Sequence, residues 1–225
     1  MDMGEPIPMP TDPADLELLT LAQWLSPAFP VGAFAYSHGL ETVVADGSVH
    51  DADSFSDWLD DVLIFGGGRT DSILLVAAYA ADPEGLAALD ALARALAPSA
   101  ERATETELQG AAFAATTAAI WGGADAPRTY PVAVGAAAAA QGLDLQNTLQ
   151  FYLHAFASNL TAAATRLVPL GQTRAQAVLA AKSGTLAELA GLALSLTPDD
   201  LGSSAFLADI ASMRHETQYS RMFRS

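Results

Sequence analysis

The side chains able to do chemistry are few and widely spaced. The chain has four histidines, His38, His50, His154 and His215, and no cysteine. No two histidines stand three or four residues apart, so no single helix face offers two imidazoles to one ion. Without thiols, disulfides and thiolate metal centres are excluded. A metal site would have to be assembled by folding or across a two-fold axis; Met213 and His215 are the candidates for that arrangement. His154 lies within an apolar helical run and is expected to pack in the core. Ser37 and His38 are neighbours, but a nucleophile needs its base within hydrogen-bond reach and an acid orienting that base, which adjacency does not supply. Gly66-Gly67-Gly68-Arg69-Thr70 lacks the spacing and the lysine of a phosphate loop and follows no strand, so it reads as a break between helices. These residues point away from catalysis, and no cofactor is expected.

Polar and aromatic residues concentrate in two other places. Within Phe29–Glu41, Pro30 and Gly32 shape an irregular backbone, and Phe34, Tyr36, Ser37, His38 and Glu41 follow. Phe34 and Tyr36 alternate with small residues, so one ring can pack while the other faces out. The second place is the stretch 214–225, which holds three of the ten basic residues of a chain whose net charge is -16. Arg214, His215, Glu216, Tyr219, Arg221 and Phe223 combine types that interface cores favour. A terminal stretch of this kind frays unless something holds it. Both segments are therefore candidate partner or dimer surfaces. Arg221, whose fork can make several hydrogen bonds at once, is expected to meet backbone carbonyls or a carboxylate of the acidic N-terminal half.

The remaining pattern is helical. Hydrophobic residues make up 51% of the chain, much of it alanine, which favours helix and buries little area per residue. Leu18, Leu21, Ala22 and Leu25 stripe a first helix over about 14–26, and prolines end it. Gly66–Gly68 separates a helix ending near Phe65 from one beginning near Thr70. Asp144 opens the strongest amphipathic run, striped by Tyr152, Phe156, Leu160, Ala163 and Leu167, which ends before Pro169; its aromatic and leucine positions are expected to be buried. Pro198 and Asp199 read as the start of the last helix. No alternating β-branched run is long enough for a strand. The expectation is an all-α, single-domain bundle of roughly eight to ten helices over 14–225. A disordered leader is expected over 1–13, and an interaction tail over about 212–225.

Charge narrows the partners. Residues 1–68 hold twelve acidic and no Lys or Arg residues, a face that repels nucleic acid and suits a basic protein. No basic leader with an apolar run opens the chain, and no charge-free stretch of about 18 apolar residues marks a membrane span, so a cytoplasmic protein is expected.

Five stretches, taken together and in order, resemble the UreF family of urease accessory proteins. They are SPAFPVGAFAYSHGLE (26–41), the helical run ending at Trp121, YPVAVG (130–135), TRLVPLGQT (165–173) and the terminal 214–225. The resemblance implies a non-enzymatic scaffold that binds a UreD/UreH-type accessory protein and forms a homodimer within that complex. It would recruit the GTPase UreG, which carries nickel to the urease apoprotein. It also places 29–41 near the homodimer contact and close to the C-terminal tail, and so implies that 214–225 folds back near the Phe34–Tyr36 loop, with Arg221 meeting that loop or stacking on the Phe34 ring. The alternative is a metallochaperone that holds nickel itself. Two departures from the family pattern stand out. Ala175-Gln176 occupies a place where the family often has Gly–Gln, and Phe34 stands where members can carry Tyr.

Overall fold

Helix α8 (Leu145–Leu167) packs against most, though not all, of the other helices. The computed structural model describes residues 13–225, and the leader expected over 1–13 lies, apart from Pro13, outside the described residues. Asp144 caps α8 by accepting from the Asn147 amide at 2.7 Å, which satisfies one of the free N–H groups of the first turn. Leu149, Leu153, Ala157, Leu160 and Ala164 are each fully buried, forming a stripe at helical spacing. The stripe expected from sequence is partly corrected. Tyr152, Leu160 and Ala163 are buried, but Phe156 and Leu167 are only half-buried. His154, expected to pack, is exposed. The buried face is centred on Leu153 and Ala157, which leaves His154 on the flank and turns Phe156 towards a cavity.

Around α8 stand α1 (Pro13–Trp24), α2 (Leu40–Ala45), α3 (Ala52–Ile64), α4 (Gly67–Ala80), α5 (Pro83–Ala95), α6 (Ala100–Trp121), α7 (Tyr130–Gln141), α9 (Gln172–Ala181), α10 (Ser183–Ala193) and α11 (Phe206–His215). No strand occurs among the described residues, and the fold is an all-α, single-domain bundle. Alanine richness permits close approach. A Cβ on Gly135 of α7 would stand 2.4 Å from the Leu75 carbonyl of α4, so only glycine allows these two backbones to meet. Larger rings fill the wider gaps. Trp24 meets Phe113 edge-on at 5.3 Å, Phe113 meets Tyr130 at 5.7 Å, and Tyr130 meets Tyr152 at 5.4 Å, linking α1, α6, α7 and α8.

Two boundaries differ from expectation. The glycine break is shorter, because Gly67 and Gly68 already belong to α4, with the break confined to Phe65 and Gly66. A Cβ on Gly68 would meet the Leu63 carbonyl at 2.7 Å, so Gly68 serves the tight α3–α4 corner and not a flexible linker. Taken together, Ala52–Ala80 has the length and mean hydropathy (1.3) of a membrane span, half of it buried inside the fold. The corner at Gly66 folds that stretch into two helices packed on each other and on α8. The second difference is the last helix. Pro198–Asp200 forms only a 3-10 turn closed by a Thr197–Asp200 capping box, and α11 begins at Phe206 and ends at His215.

Candidate functional site

After His215 the chain leaves helical geometry and runs back across the 29–41 loop. The Arg224 amide donates to the Ala35 carbonyl at 2.8 Å, and the Ser37 amide donates to the Ser225 carbonyl at 2.9 Å. The Ser37 hydroxyl donates to that same carbonyl. The loop accepts this neighbour because of its backbone. His38 (φ 56) and Gly39 (φ 81) adopt successive left-handed conformations that swing the chain into α2. At Gly39 a Cβ would also stand 2.7 Å from the Ser212 amide, so α11 rests directly on the loop. From the other side α8 holds the loop: Asn159 Nδ2 donates to the Ala33 carbonyl at 2.8 Å and Arg166 Nη1 to the Phe34 carbonyl at 3.5 Å. Arg166 also lies 4.6 Å over the ring of buried Phe223.

Three carboxylates fasten the tail. Glu41, 8% exposed, accepts from the amides of Met222 (2.7 Å) and Phe223 (2.9 Å), and lies 3.3 Å from His215 Nε2. Glu101 lies 2.6 Å from His215 Nδ1 and 2.5 Å from Arg221 Nη1. Glu105 accepts from the Ser225 hydroxyl at 2.9 Å. Glu216 contributes in the reverse direction, accepting from the Ala100 amide at 2.7 Å and so supplying negative charge to the positive end of α6. Ser99 and Ser212 share a hydrogen bond of 2.7 Å between the start of α6 and α11.

Beneath this layer lies a buried polar cluster. Glu105 pairs with Arg102, lies 3.0 Å from His38 Nε2 and accepts from Gln109 at 3.0 Å. Burial alone would raise the Glu105 carboxyl, but Arg102 and then His38 beside it pull it down to about 2, so it is ionised. Burial, reinforced by the Arg102 charge, holds His38 below its ordinary value and keeps the ring neutral. Asp71, accepting from the Tyr152 hydroxyl at 2.8 Å, is raised by burial, with Arg102 and the Tyr152 hydrogen bond offsetting part of that. A cavity of about 410 Å³ opens on one side of the cluster and a smaller one of about 70 Å³ on the other; His38, Asp71, Arg102 and Thr106 border both.

The predicted residues divide clearly. Tyr36, Ser37, His38, Glu41, His215 and Phe223 are buried in the loop–tail contact, whereas Phe34 (71% exposed), Arg214, Glu216, Tyr219 and Arg221 face outward. Arg221 pairs with Glu101 and does not stack on Phe34; the cation over an aromatic ring is instead Arg166 on Phe223. Phe34 has no hydroxyl to offer and turns away from the tail, leaving Arg221 to the nearer carboxylate. Met213 and His215 are not brought together: Met213 is half exposed, and both ring nitrogens of buried His215 face carboxylates. No group of three or more His, Asp or Glu residues suited to a metal ion occurs among the described residues.

Glu101, Arg102, Glu105, Asp71, Asn159 and Arg166 were not anticipated. A signal existed for some of them: Glu101, Glu105 and Gln109 recur every four residues on an otherwise alanine-rich helix, the pattern of one polar face. Asp71 and Asn159 carry no such sign. Beyond the tail, α11 exposes Phe206, Leu207, Ile210 and Met213, an apolar face without a partner among the described residues.

The UreF family profile matches residues 49–182. The chain is 56% identical over 207 residues to the urease accessory protein UreF of Roseobacter denitrificans, spanning 92% of this chain and 93% of that protein. It is 60% identical over 208 residues to UreF of Ruegeria sp. (92% and 97%) and 49% identical over 221 residues to UreF of Bradyrhizobium diazoefficiens (92% and 91%). With this identity sustained along nearly the whole length, the chain belongs to the UreF family of urease accessory proteins.

Proposed function

We propose that this chain is a non-catalytic scaffold of urease maturation in the cytoplasm. It binds a UreD/UreH-type accessory protein, pairs with a second copy in that complex, and recruits the GTPase UreG so that nickel reaches the urease apoprotein. The observation that carries this reading is the tail of 214–225 clamped by Glu41, Glu101 and Glu105 against the 29–41 loop. The clamp presents Tyr219, Arg221 and Met222 outward on an ordered surface, which spares a partner the entropy of ordering that segment on binding. The apolar face of α11, rich in the residue types that interface cores use, suits the accessory protein. The surface of the acidic N-terminal part suits a basic partner.

The test is a co-purification series with the accessory protein and the GTPase. Deleting 214–225, and separately Arg221→Ala, is expected to leave the helical circular dichroism signal intact while abolishing GTPase recruitment. Recruitment at wild-type affinity by both variants refutes the reading. Tight nickel binding by the monomeric chain in calorimetry would favour the metallochaperone instead.

A further inference from the structure

The 410 Å³ cavity beside α8 shares only Glu105 with the three carboxylates that hold the tail. Its size falls within the range of about 300–1,000 Å³ typical of small-molecule pockets. Phe29, Val31, Phe151 and Phe156 wall it, and the exposed residues Pro27, Phe34 and His154 mark its mouth. Its floor is the polar cluster, and the charges there do not balance. Glu105 is matched by Arg102 and further satisfied by Gln109 and the Ser225 hydroxyl, and His38 is neutral. Asp71 remains. Its Oδ2 accepts from Tyr152, while its Oδ1 has no hydrogen-bond partner among the described residues. Burial raises the Asp71 carboxyl, and when it ionises only Arg102, already paired with Glu105, offsets its charge, in a cavity whose aromatic faces themselves attract cations.

We propose that this cavity binds a small organic cation, an ammonium or guanidinium head seated on Asp71 Oδ1 with its apolar stem against Phe29, Phe151 and Phe156. An anion finds no free counter-charge, because the Arg102 guanidinium is already engaged by Glu105. A bare divalent metal lacks the ligand set that ions of this kind require. The same head chemistry occurs on lysine and arginine side chains of proteins. The enclosed floor and narrow aromatic walls favour a free molecule over a side chain that must bring its backbone to the mouth.

The experiment titrates the full chain, by calorimetry and ligand-observed NMR, with 2-phenylethylammonium, its neutral counterpart 2-phenylethanol and the anion 3-phenylpropionate. Nα-acetylarginine methylamide serves as the protein side-chain mimic, and nickel as the metal arm. The ammonium is expected to bind at least about tenfold more tightly than the alcohol, and the anion more weakly than either. Asp71→Asn keeps the shape and the acceptor for Tyr152. It should erase the ammonium's advantage while leaving the alcohol affinity within about threefold, which also reports that the cavity has stayed folded. Five results each overturn the proposal: no binding of any organic probe; equal affinity for ammonium and alcohol; an advantage that survives Asp71→Asn; binding of the arginine mimic alone; or displacement of the ammonium by nickel.

Discussion

Glu41→Gln isolates the clamp on the tail from the fold beneath it. Glu41 is 8% exposed; its carboxylate accepts from the Met222 amide at 2.7 Å and the Phe223 amide at 2.9 Å and lies 3.3 Å from a ring nitrogen of His215. Glutamine offers one oxygen where glutamate offers two, and its NH2 must face at least one of those donors. The variant therefore loses the charge and sets a donor against a donor. With a hydrogen bond to a charged group worth about 1.5–3 kcal/mol, and a buried donor left unpaired at about 1–3 kcal/mol, the docked tail should lose about 2–4 kcal/mol. The polar partners of this carboxylate are the two tail amides and His215, so the loss falls on the tail and its anchor at the end of α11. Amide hydrogen exchange reads the effect directly. Protection at Met222, Phe223 and Arg224 should fall by about 30- to 1,000-fold, at one decade per 1.36 kcal/mol, while Leu153 and Leu160 in α8 keep theirs. Protection of Met222 and Phe223 within about threefold of wild type, in a folded protein, would refute the claim that this carboxylate holds the tail.

Further outcomes follow from the geometry. Leu160→Ala, at a fully buried position, should cost about 2–5 kcal/mol in denaturant unfolding. Phe156→Ala, which removes a half-buried wall against His38, should cost about 1–2 kcal/mol, well below the loss expected of a core phenylalanine. Gly39→Ala forces a side chain into left-handed backbone against the Ser212 amide and should cost at least about 1–2 kcal/mol, read as a lower Tm together with weakened protection in α11. Stability should fall on acidification. His38 and Glu105 are both depressed in the folded state, so each contributes stability above its unfolded value that is lost as pH drops, His38 first and Glu105 over about pH 4.5 to 2. Asp71, raised when folded, acts in the opposite sense, so Asp71→Asn should steepen the acid-side loss in a pH series of urea melts.

The helices were legible because their signals are local. Asp51, Asp82, Ser99 and Asp144 each cap the helix that follows, and Gly142 closes α7 in left-handed geometry. The errors arose where tertiary contact decides. Gly67 and Gly68 read as breakers by propensity, yet helix α4 incorporates them because the α3–α4 corner has no room for a side chain. His154 and Phe156 share a strongly apolar run, but which part of a helix faces a cavity depends on neighbours far away in sequence. The loop and tail announced themselves by composition. Their fasteners did not, since Glu101 and Glu105 lie some 120 residues from the groups they hold. Arg166, near the end of α8, covers Phe223, a contact set by folding and not by local sequence.

The carboxylate clamp also sets how the molecule opens. Contacts between the tail and residues 35–41 span more than 180 positions in sequence. Once the bundle has formed, however, only the ten residues after His215 must move to break or remake them. His215 remains anchored between Glu41 and Glu101, and Ser212 to Ser99, so α11 need not leave with the tail. Undocking is thus a sub-global opening with its own equilibrium constant, set by a handful of polar contacts and one phenylalanine, while the bundle stays as a spectator. Such an opening divides the same surface between an assembled and a frayed state. A partner that reads Tyr219 and Arg221 in their ordered places would draw the population towards the first in proportion to its own affinity.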